Sequence, residues 1–149
     1  MLIDLNTLYS LTGQAAIVTG AAQGMGEAIA RFLAGMGASV TVADINLGGA
    51  QAVAATIVAE GGAARAAHAD MGDEASIVAL VDGAHAAFGR VDILVNVAGI
   101  SDRASLADTS SDFWDRIHDV NLRGPFIAIR ETMRHMRADG TRGRIVNIA

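Results

Sequence analysis

Short apolar runs alternate along the whole chain with longer stretches of helical periodicity. Runs of four to six apolar residues are typical of buried strands, whereas the longer stretches repeat apolar residues every three or four positions. This alternation predicts repeated βαβ units and therefore a parallel sheet. The predicted strands cover residues 15–19, 40–44, 65–69, 93–95 and 144–148. The predicted helices cover residues 25–36, 47–60, 73–88 and 112–136.

Glycine and proline mark several ends of these elements. Gly37 and Gly61 follow predicted helices, where a positive φ angle turns the chain back toward a strand. Pro125 interrupts the periodicity of the fourth helix and has no N–H to donate, so we expect a bent helix there. Gly124 precedes this proline and eases the change of direction.

The loop between the first predicted strand and helix has the glycine-rich sequence Thr-Gly-Ala-Ala-Gln-Gly-Met-Gly over residues 19–26. Gly20 permits a tight exit from the strand, Gly24 lets a phosphate approach the backbone, and Gly26 lets the helix pack closely on the strand. The free N–H groups of the helix N-terminus form an anion site without a basic side chain. The loop, with Gln23 and Met25, is therefore a predicted site for a dinucleotide pyrophosphate. An ordinary glycine-rich turn is the alternative, whereas a triphosphate P-loop is excluded because its lysine is missing.

An acidic residue ends the second predicted strand. Asp44 lies 24 residues after Gly20, where a carboxylate accepts hydrogen bonds from the ribose hydroxyls of adenosine. The same carboxylate repels a 2′-phosphate, and no arginine lies next to it in the sequence, so NAD is favoured over NADP as the cofactor. The alternative is that Asp44 caps the helix that starts near Leu47.

The ends of the third and fourth strands supply the other cofactor candidates. Asp70 and Met71 follow the third strand, where Asp70 either holds an adenine amino group or caps the next helix. Asn96 ends the fourth strand and either contributes to the site or only braces the turn. Ala98 and Gly99 after it leave room for a ribose against the backbone.

The composition narrows the class of protein. A length of 149 residues fits one domain, and 52% hydrophobic with 18% charged residues excludes disorder. No continuous apolar stretch approaches the roughly 18 residues of a membrane span, and neither a secretory signal nor a cysteine is present, so a cytoplasmic location is expected. A net charge of -5 disfavours nucleic acid as a partner. The four histidines lack metal-site spacing, so no metal is expected.

In their order and spacing, these motifs resemble those of the short-chain dehydrogenases/reductases, in the compact single-domain branch of that family. The similarity runs from about Leu11 to the last residue and rests on residues 19–26, Asp44, Asp70, residues 96–99, residues 120–124 and residues 144–149. Val97 departs from the commoner Asn-Asn-Ala-Gly form, while Asn96, Ala98 and Gly99 are in place.

The resemblance implies an α/β fold, a Rossmann-type doubly wound parallel sheet of strand order 3-2-1-4-5 that continues to two further strands in full-length members. It also implies a Ser that orients the substrate, a Tyr that acts as general acid or base, a Lys that lowers the Tyr pKa, and an Asn that helps to hold a water near that Lys. Only the Asn has a counterpart, the catalytic candidate Asn121, because the chain has no lysine and its single tyrosine, Tyr9, precedes the first strand. Residues 1–149 are therefore expected to be an incomplete dinucleotide-binding domain, truncated before the last two strands.

These observations favour the NAD-binding part of an oxidoreductase that interconverts an alcohol and a ketone or aldehyde by hydride transfer. The 149 residues alone are expected to be inactive, because the Tyr and Lys are missing. The alternatives are a non-catalytic module that binds or senses NAD, and a fragment with no function of its own. The resemblance further implies a homo-oligomer, a dimer or tetramer, for the parent protein. Ser101, Asp102 and Arg103 either line a substrate entrance or form a solvated loop.

Overall fold

The computed structural model describes residues 9–101 and 105–148. The strands in these residues are β1 (Ala15–Thr19), β2 (Ser39–Asp44), β3 (Ala63–His68), β4 (Ile93–Asn96) and β5 (Arg144–Asn147). The α-helices are α1 (Gly24–Gly35), α2 (Leu47–Ala59), α3 (Glu74–Phe88), α4 (Ser111–His118) and α5 (Gly124–Ala138), with a π-helical segment, Asp119–Arg123, between α4 and α5. None of the helices in this part of the chain is long and apolar enough to cross a membrane.

The five strands form one parallel sheet in the order β3-β2-β1-β4-β5. This confirms the expected doubly wound α/β fold and its strand order. From the central strand β1 the chain moves outward to β3 on one side, then returns to β4 on the other side. The loops after β1 and β4 therefore diverge, and they leave a crevice at the carboxyl ends of the strands, the general ligand site of such sheets.

Helices cover both faces of the sheet because alternate strand residues point to opposite sides. Ala16 and Val18 of β1 belong to an apolar core with residues of α1 and α2. Ile17, between them, belongs to a second core with residues of α3 and α5. All five residues of β1 are buried, as expected for a central strand with helices on both faces.

The predicted strand boundaries agree with the structure to within two residues. The largest difference is at β3, which begins at Ala63 instead of residue 65. Ala63 and Ala64 pair with Ser39 and Val40 of β2. Small alanines carry little strand preference of their own, so here the neighbouring strand determines where β3 begins.

The predicted long fourth helix is interrupted just before Pro125 by the π-helical segment between α4 and α5. The N–H of Gly124 donates to the carbonyl of Asp119, five residues back, and Pro125 has no N–H for the carbonyl of Asn121. A Cβ atom on Gly124 would collide with the Met71 carbonyl oxygen. Gly124 is therefore required by close contact between the helix and the loop after β3.

Asp92, a buried residue just before β4, connects the amino-terminal ends of β1, β4 and β5. Asp92 accepts hydrogen bonds from the Ala15 N–H at 2.8 Å and from Arg90 Nε at 2.7 Å, and its main-chain carbonyl accepts from the Arg144 N–H at 2.8 Å. Burial raises the pKa of Asp92. The Arg90 guanidinium and the Ala15 N–H lower the pKa by a larger amount, so the net pKa lies below the usual value. Asp92 lies at the amino-terminal ends of the strands, opposite the crevice, so we interpret its role as structural.

Candidate functional site

A cleft of about 450 Å³ lies at the carboxyl ends of the strands. The loops after β1, β2, β3 and β4 form its walls. Ten of the eleven predicted cofactor residues line this cleft: Gly20, Gln23, Gly24, Met25, Gly26, Asp44, Asp70, Met71, Ala98 and Gly99. Asn96 and Asn121 do not line it.

Two of the loop glycines are required by close backbone contacts. Gly20 has a φ of +65°, and a Cβ atom there would lie 2.7 Å from the Cα of Ala98. A Cβ atom on Gly26 would collide with the carbonyl oxygen of Gly20. Gly24 differs, because it has a φ of +59° and a Cβ atom there would meet open space. Gly20 and Gly26 thus serve packing, whereas Gly24 keeps the backbone accessible from the cleft.

The N-terminus of α1 is left without a side-chain cap. Its N-cap residue, Gln23, makes no capping hydrogen bond. In contrast, Asn46 caps α2, Asp73 caps α3 and Ser110 caps α4 through side-chain oxygens. The first N–H groups of α1 are therefore available to an anion in the cleft, at the positive end of the helix dipole.

The buried hydroxyl of Thr19, which sequence reasoning missed, fixes the loop after β4. The Thr19 hydroxyl oxygen accepts hydrogen bonds from the N–H groups of Val97 at 3.1 Å and Ala98 at 3.2 Å. Thr19 thereby joins the loop after β4 to the end of β1. The available signal was a polar residue at the end of an otherwise apolar strand.

The Asp44 carboxylate connects the glycine loop to the loop after β2. One oxygen accepts from the Ala22 N–H at 3.0 Å, and the other accepts from the Asn46 N–H at 2.9 Å. The alternative interpretation of Asp44 as the cap of α2 is wrong, because Asn46 accepts from the Gly49 N–H and caps that helix. Each carboxylate oxygen has a second lone pair, so Asp44 retains acceptor capacity toward the cleft.

Asp70 is likewise a loop residue and not a helix cap. Its Oδ1 accepts from the Gly72 N–H at 2.8 Å, while Asp73 accepts from Ala75 and Ser76 and caps α3. Met71 is buried beside it and lines the cleft. Asp70 and Met71 therefore form the wall of the cleft at the end of β3.

Asn96 lies behind the cleft, in contact with the last strand. It is buried, and its Nδ2 donates to Oδ1 of Asn147 on β5 at 2.9 Å. Its own Oδ1 has no hydrogen-bond partner within the part of the chain that the structure describes. Asn96 therefore contacts the neighbouring strand through Asn147, a partner that sequence reasoning did not identify.

Asn121 holds the loop after β4 from the opposite side. Its Oδ1 accepts from the Ile100 N–H at 2.8 Å, and its Nδ2 donates to the Ile100 carbonyl at 2.7 Å. The side-chain amide of Asn121 thus pairs with the Ile100 backbone in the way that the backbone of a neighbouring strand would. Because both amide atoms contact this loop, Asn121 has a positioning role in the structure.

Six further residues line the cleft without having been predicted. They are Ile45, Ala69, Val97, Ile100, Arg116 and Val120. Ile45 follows Asp44 and is 57% exposed, which gives the β2 side of the cleft an apolar edge. Among the candidates for a substrate entrance, Ser101 is exposed, while Asp102 and Arg103 lie outside the described residues.

The described residues contain no cluster of three His, Asp or Glu side chains that could hold a metal ion. The chemistry that the cleft offers is instead an uncapped helix N-terminus, open glycine backbone and two carboxylates at its rim. Together with the doubly wound sheet, these features are typical of Rossmann-type folds.

Comparison with known proteins identifies the family. The family model of the short chain dehydrogenases matches residues 14–149, and the chain belongs to this family. It is 41% identical over 141 residues to D-threitol dehydrogenase of Mycolicibacterium smegmatis. The aligned region covers 95% of this chain and 54% of that relative. The chain therefore spans about half the length of the curated relatives it matches.

Solved structures agree with this assignment. A dehydrogenase/reductase from Sinorhizobium meliloti superimposes with a TM-score of 0.91 at 40% identity, over 97% of this chain and 57% of that one. A metagenomic short-chain oxidoreductase solved in complex with NADP has a TM-score of 0.88 at 38% identity, over 93% and 63% of the two chains. The family binds nicotinamide dinucleotides. The choice between NAD and NADP depends on this chain's own residues.

Proposed function

We propose that this chain is the NAD-binding portion of an oxidoreductase that interconverts an alcohol and a ketone or aldehyde by hydride transfer. The observation that carries the proposal is the uncapped N-terminus of α1, which faces a cleft lined by Gly20, Gly24 and Gly26. Family membership and the similarity to polyol dehydrogenases support the same reaction class.

The glycine loop would hold the pyrophosphate. The first N–H groups of α1 provide donors, and the helix dipole provides partial positive charge, so no basic side chain is required. Gly24 leaves the space in front of these donors open. Thr19 fixes the loop after β4 by accepting from the N–H groups of Val97 and Ala98.

Asp44 would select NAD over NADP. Its carboxylate is fixed by the Ala22 and Asn46 N–H groups and lines the cleft, where it can accept from ribose hydroxyls. A 2′-phosphate beside it would place like charges together. Ile45, which follows Asp44 at the rim, offers a phosphate no compensating charge.

The chain itself supplies binding and orientation for the reaction. A bound nicotinamide carries the hydride. Asn121 positions Ile100 and the loop beside it, and Ala98 and Gly99 leave room for a ribose. The 149 residues contain no Tyr and Lys pair to manage the proton, and loss of general acid-base catalysis lowers rates by about 10²- to 10⁴-fold. Robust turnover by the 149-residue chain would contradict this part of the proposal.

A second candidate function is a module that binds NAD without catalysis. The observation in its favour is that the binding cleft is present while the Tyr and Lys pair is missing from these residues. Coding sequence beyond Ala149 distinguishes the two. A Ser followed by Tyr-x-x-x-Lys supports the enzyme, whereas a stop codon directly after Ala149 supports the module.

We also propose that the parent protein is a homo-oligomer that pairs through the helices between β4 and β5. This surface exposes large apolar side chains: Trp114, Leu122, Phe126 and Met133. Phe126 and Met133 line one surface pocket on α5. Exposed apolar surface that is large enough to form a patch is typical of interaction sites.

Titration with NAD of two matched glycine variants tests the cofactor site. Gly24 and Gly140 both have positive φ angles, +59° and +66°, and an added Cβ atom meets open space at both positions. Gly24→Ala and Gly140→Ala should therefore lose similar stability, about 1 to 2 kcal/mol. Only Gly24→Ala should weaken NAD binding, by at least tenfold. Equal affinity in the two variants would contradict the proposed pyrophosphate site.

A further inference from the structure

Among the described residues that line the cleft, one is positively charged, and it is Arg116. It lies on α4, one helical turn before Val120, and shares the β3 side of the cleft with Asp70 and Met71. One of the two interpretations of Asp70 from the sequence is that it holds the adenine amino group, which would place adenine on this side of the cleft. None of the sequence motifs singled out Arg116.

A second cavity, of about 320 Å³, adjoins the cleft at the same place. Arg116, Val120 and Asp70 line both cavities. The second cavity adds three carboxylates from α4 and the π-helical segment, those of Asp112, Asp115 and Asp119. Four carboxylates and one guanidinium therefore line the second cavity, and one of the carboxylates, that of Asp119, lies 3.7 Å from Arg123.

This charge distribution determines which part of a dinucleotide fits beside Arg116. A phosphate in this cavity would lie beside more acidic than basic side chains, which is unfavourable. An adenine ring is uncharged, and its amino group donates to carboxylates such as Asp70. A guanidinium is planar and stacks on aromatic rings.

We propose that Arg116 is a specificity-determining residue that covers the face of the adenine ring while Asp70 accepts from the adenine amino group. This inference rests on the proposed cofactor function. It assigns to Arg116 the recognition of a purine base and not of a phosphate. Arg116 is exposed, so its side chain can close over the ring once a ligand is bound.

Titration of the 149-residue chain with ADP and with adenosine, followed by protein NMR, tests the inference. Arg116→Ala should weaken the binding of both ligands by about fivefold, because the stacking contact does not involve phosphate. Arg116→Lys keeps the charge but loses the planar group, and it should also weaken both. Arg142→Ala is the matched control, since Arg142 is exposed in the loop before β5 at the opposite edge of the sheet. Equal melting temperatures show that the variants are folded.

The outcomes separate the inference from the function on which it rests. If the unmodified chain binds ADP and Arg116→Ala binds both ligands normally, the role of Arg116 is overturned while the cofactor site stands. A loss restricted to ADP, with adenosine unaffected, would instead assign Arg116 to a phosphate and overturn the stacking role. Failure of the folded, unmodified chain to bind either ligand overturns the cofactor site and the inference together.

Discussion

At the scale of single residues, polar side chains at the ends of strands shape the cleft by bonding to neighbouring backbone. Thr19 joins β1 to the loop after β4, Asp44 joins β2 to the glycine loop, and Asn121 joins the π-helical segment to Ile100. Each bond connects segments more than twenty residues apart or on different strands. The cleft is therefore organised before a ligand arrives, which lowers the entropic cost of binding.

Removal of the Asp44 charge should change the choice of cofactor. Asp44→Asn keeps one oxygen acceptor but loses the charge that strengthens bonds to ribose hydroxyls and repels a 2′-phosphate. We expect the affinity for NADP relative to NAD to rise by at least tenfold, measured by calorimetric titration. Asp139→Asn removes the same charge at the opposite edge of the sheet and should leave the ratio unchanged. An unchanged ratio in Asp44→Asn would show that another group reads the ribose.

Asp92 should make the stability of the chain depend on pH. Its pKa is lower in the folded state than the ordinary value of 3.8, so its stabilisation is complete above about pH 4 and disappears as the pH falls through the folded pKa. Asp92→Asn should lower the free energy of unfolding by about 1 to 3 kcal/mol at neutral pH. Urea denaturation at several pH values should show this difference shrinking in acid.

The control for Asp92 is Glu60→Gln. Glu60 pairs with Arg31 on the surface, where an ion pair contributes about 0 to 1 kcal/mol. An equal loss in the two variants, or a loss in Asp92→Asn that does not change with pH, would argue against the structural role of Asp92.

The sequence pattern predicted some of these side chains as site residues and did not predict others. Asp44 could be found because it has a fixed spacing from Gly20 and follows an apolar strand. Thr19 and Asn147 could not be assigned a partner, since their bonds to Val97 and Asn96 depend on which strands lie side by side. Arg116 was missed because nothing local distinguishes it from other helical arginines.

At the scale of elements, the interrupted helix between β4 and β5 positions the loop beside the cleft. The π-helical segment brings Asn121 to Ile100, and Gly124 lets the helix touch the main chain of Met71. Pro125 predicted an irregularity in this helix but not its π-helical form. The irregular turn lies before Pro125 because the proline has no N–H for the carbonyl of Asn121, four residues back.

A matched pair of helical glycines tests the close contact at Gly124. Gly124→Ala should destabilise the chain by about 1 to 3 kcal/mol, because the new methyl group collides with the Met71 carbonyl. Gly35→Ala, in α1, meets no atom within 4 Å and should be neutral or stabilise by up to about 1 kcal/mol. Urea denaturation measures both. Similar effects in the two variants would mean that the contact can relax.

At the scale of the whole molecule, the sheet order was available from the family resemblance and not from periodicity. Alternating apolar runs predicted strands and helices in sequence, yet they are equally compatible with several orders of parallel strands. The order β3-β2-β1-β4-β5 brings the ends of β1, β2, β3 and β4 together. This explains how residues as distant in sequence as Gly20 and Gly99 line one cleft.

The exposed apolar surface should mediate self-association. Phe126 is 59% exposed on α5, and Phe126→Asp should shift an oligomer toward monomer in sedimentation velocity. Phe32→Asp is the control, since Phe32 is 68% exposed on α1, outside the proposed interface. Dissociation of the parent protein by both variants, or by neither, would contradict the proposed interface.

We propose above all that this chain carries a preformed site for NAD. Parallel calorimetric titrations of the folded 149-residue chain with NAD and with NADP test it most directly. The uncapped α1 N-terminus and Asp44 predict saturable binding of NAD and at least tenfold weaker binding of NADP. Tighter binding of NADP would contradict the role of Asp44, and no binding of either dinucleotide by a folded chain would contradict the site itself.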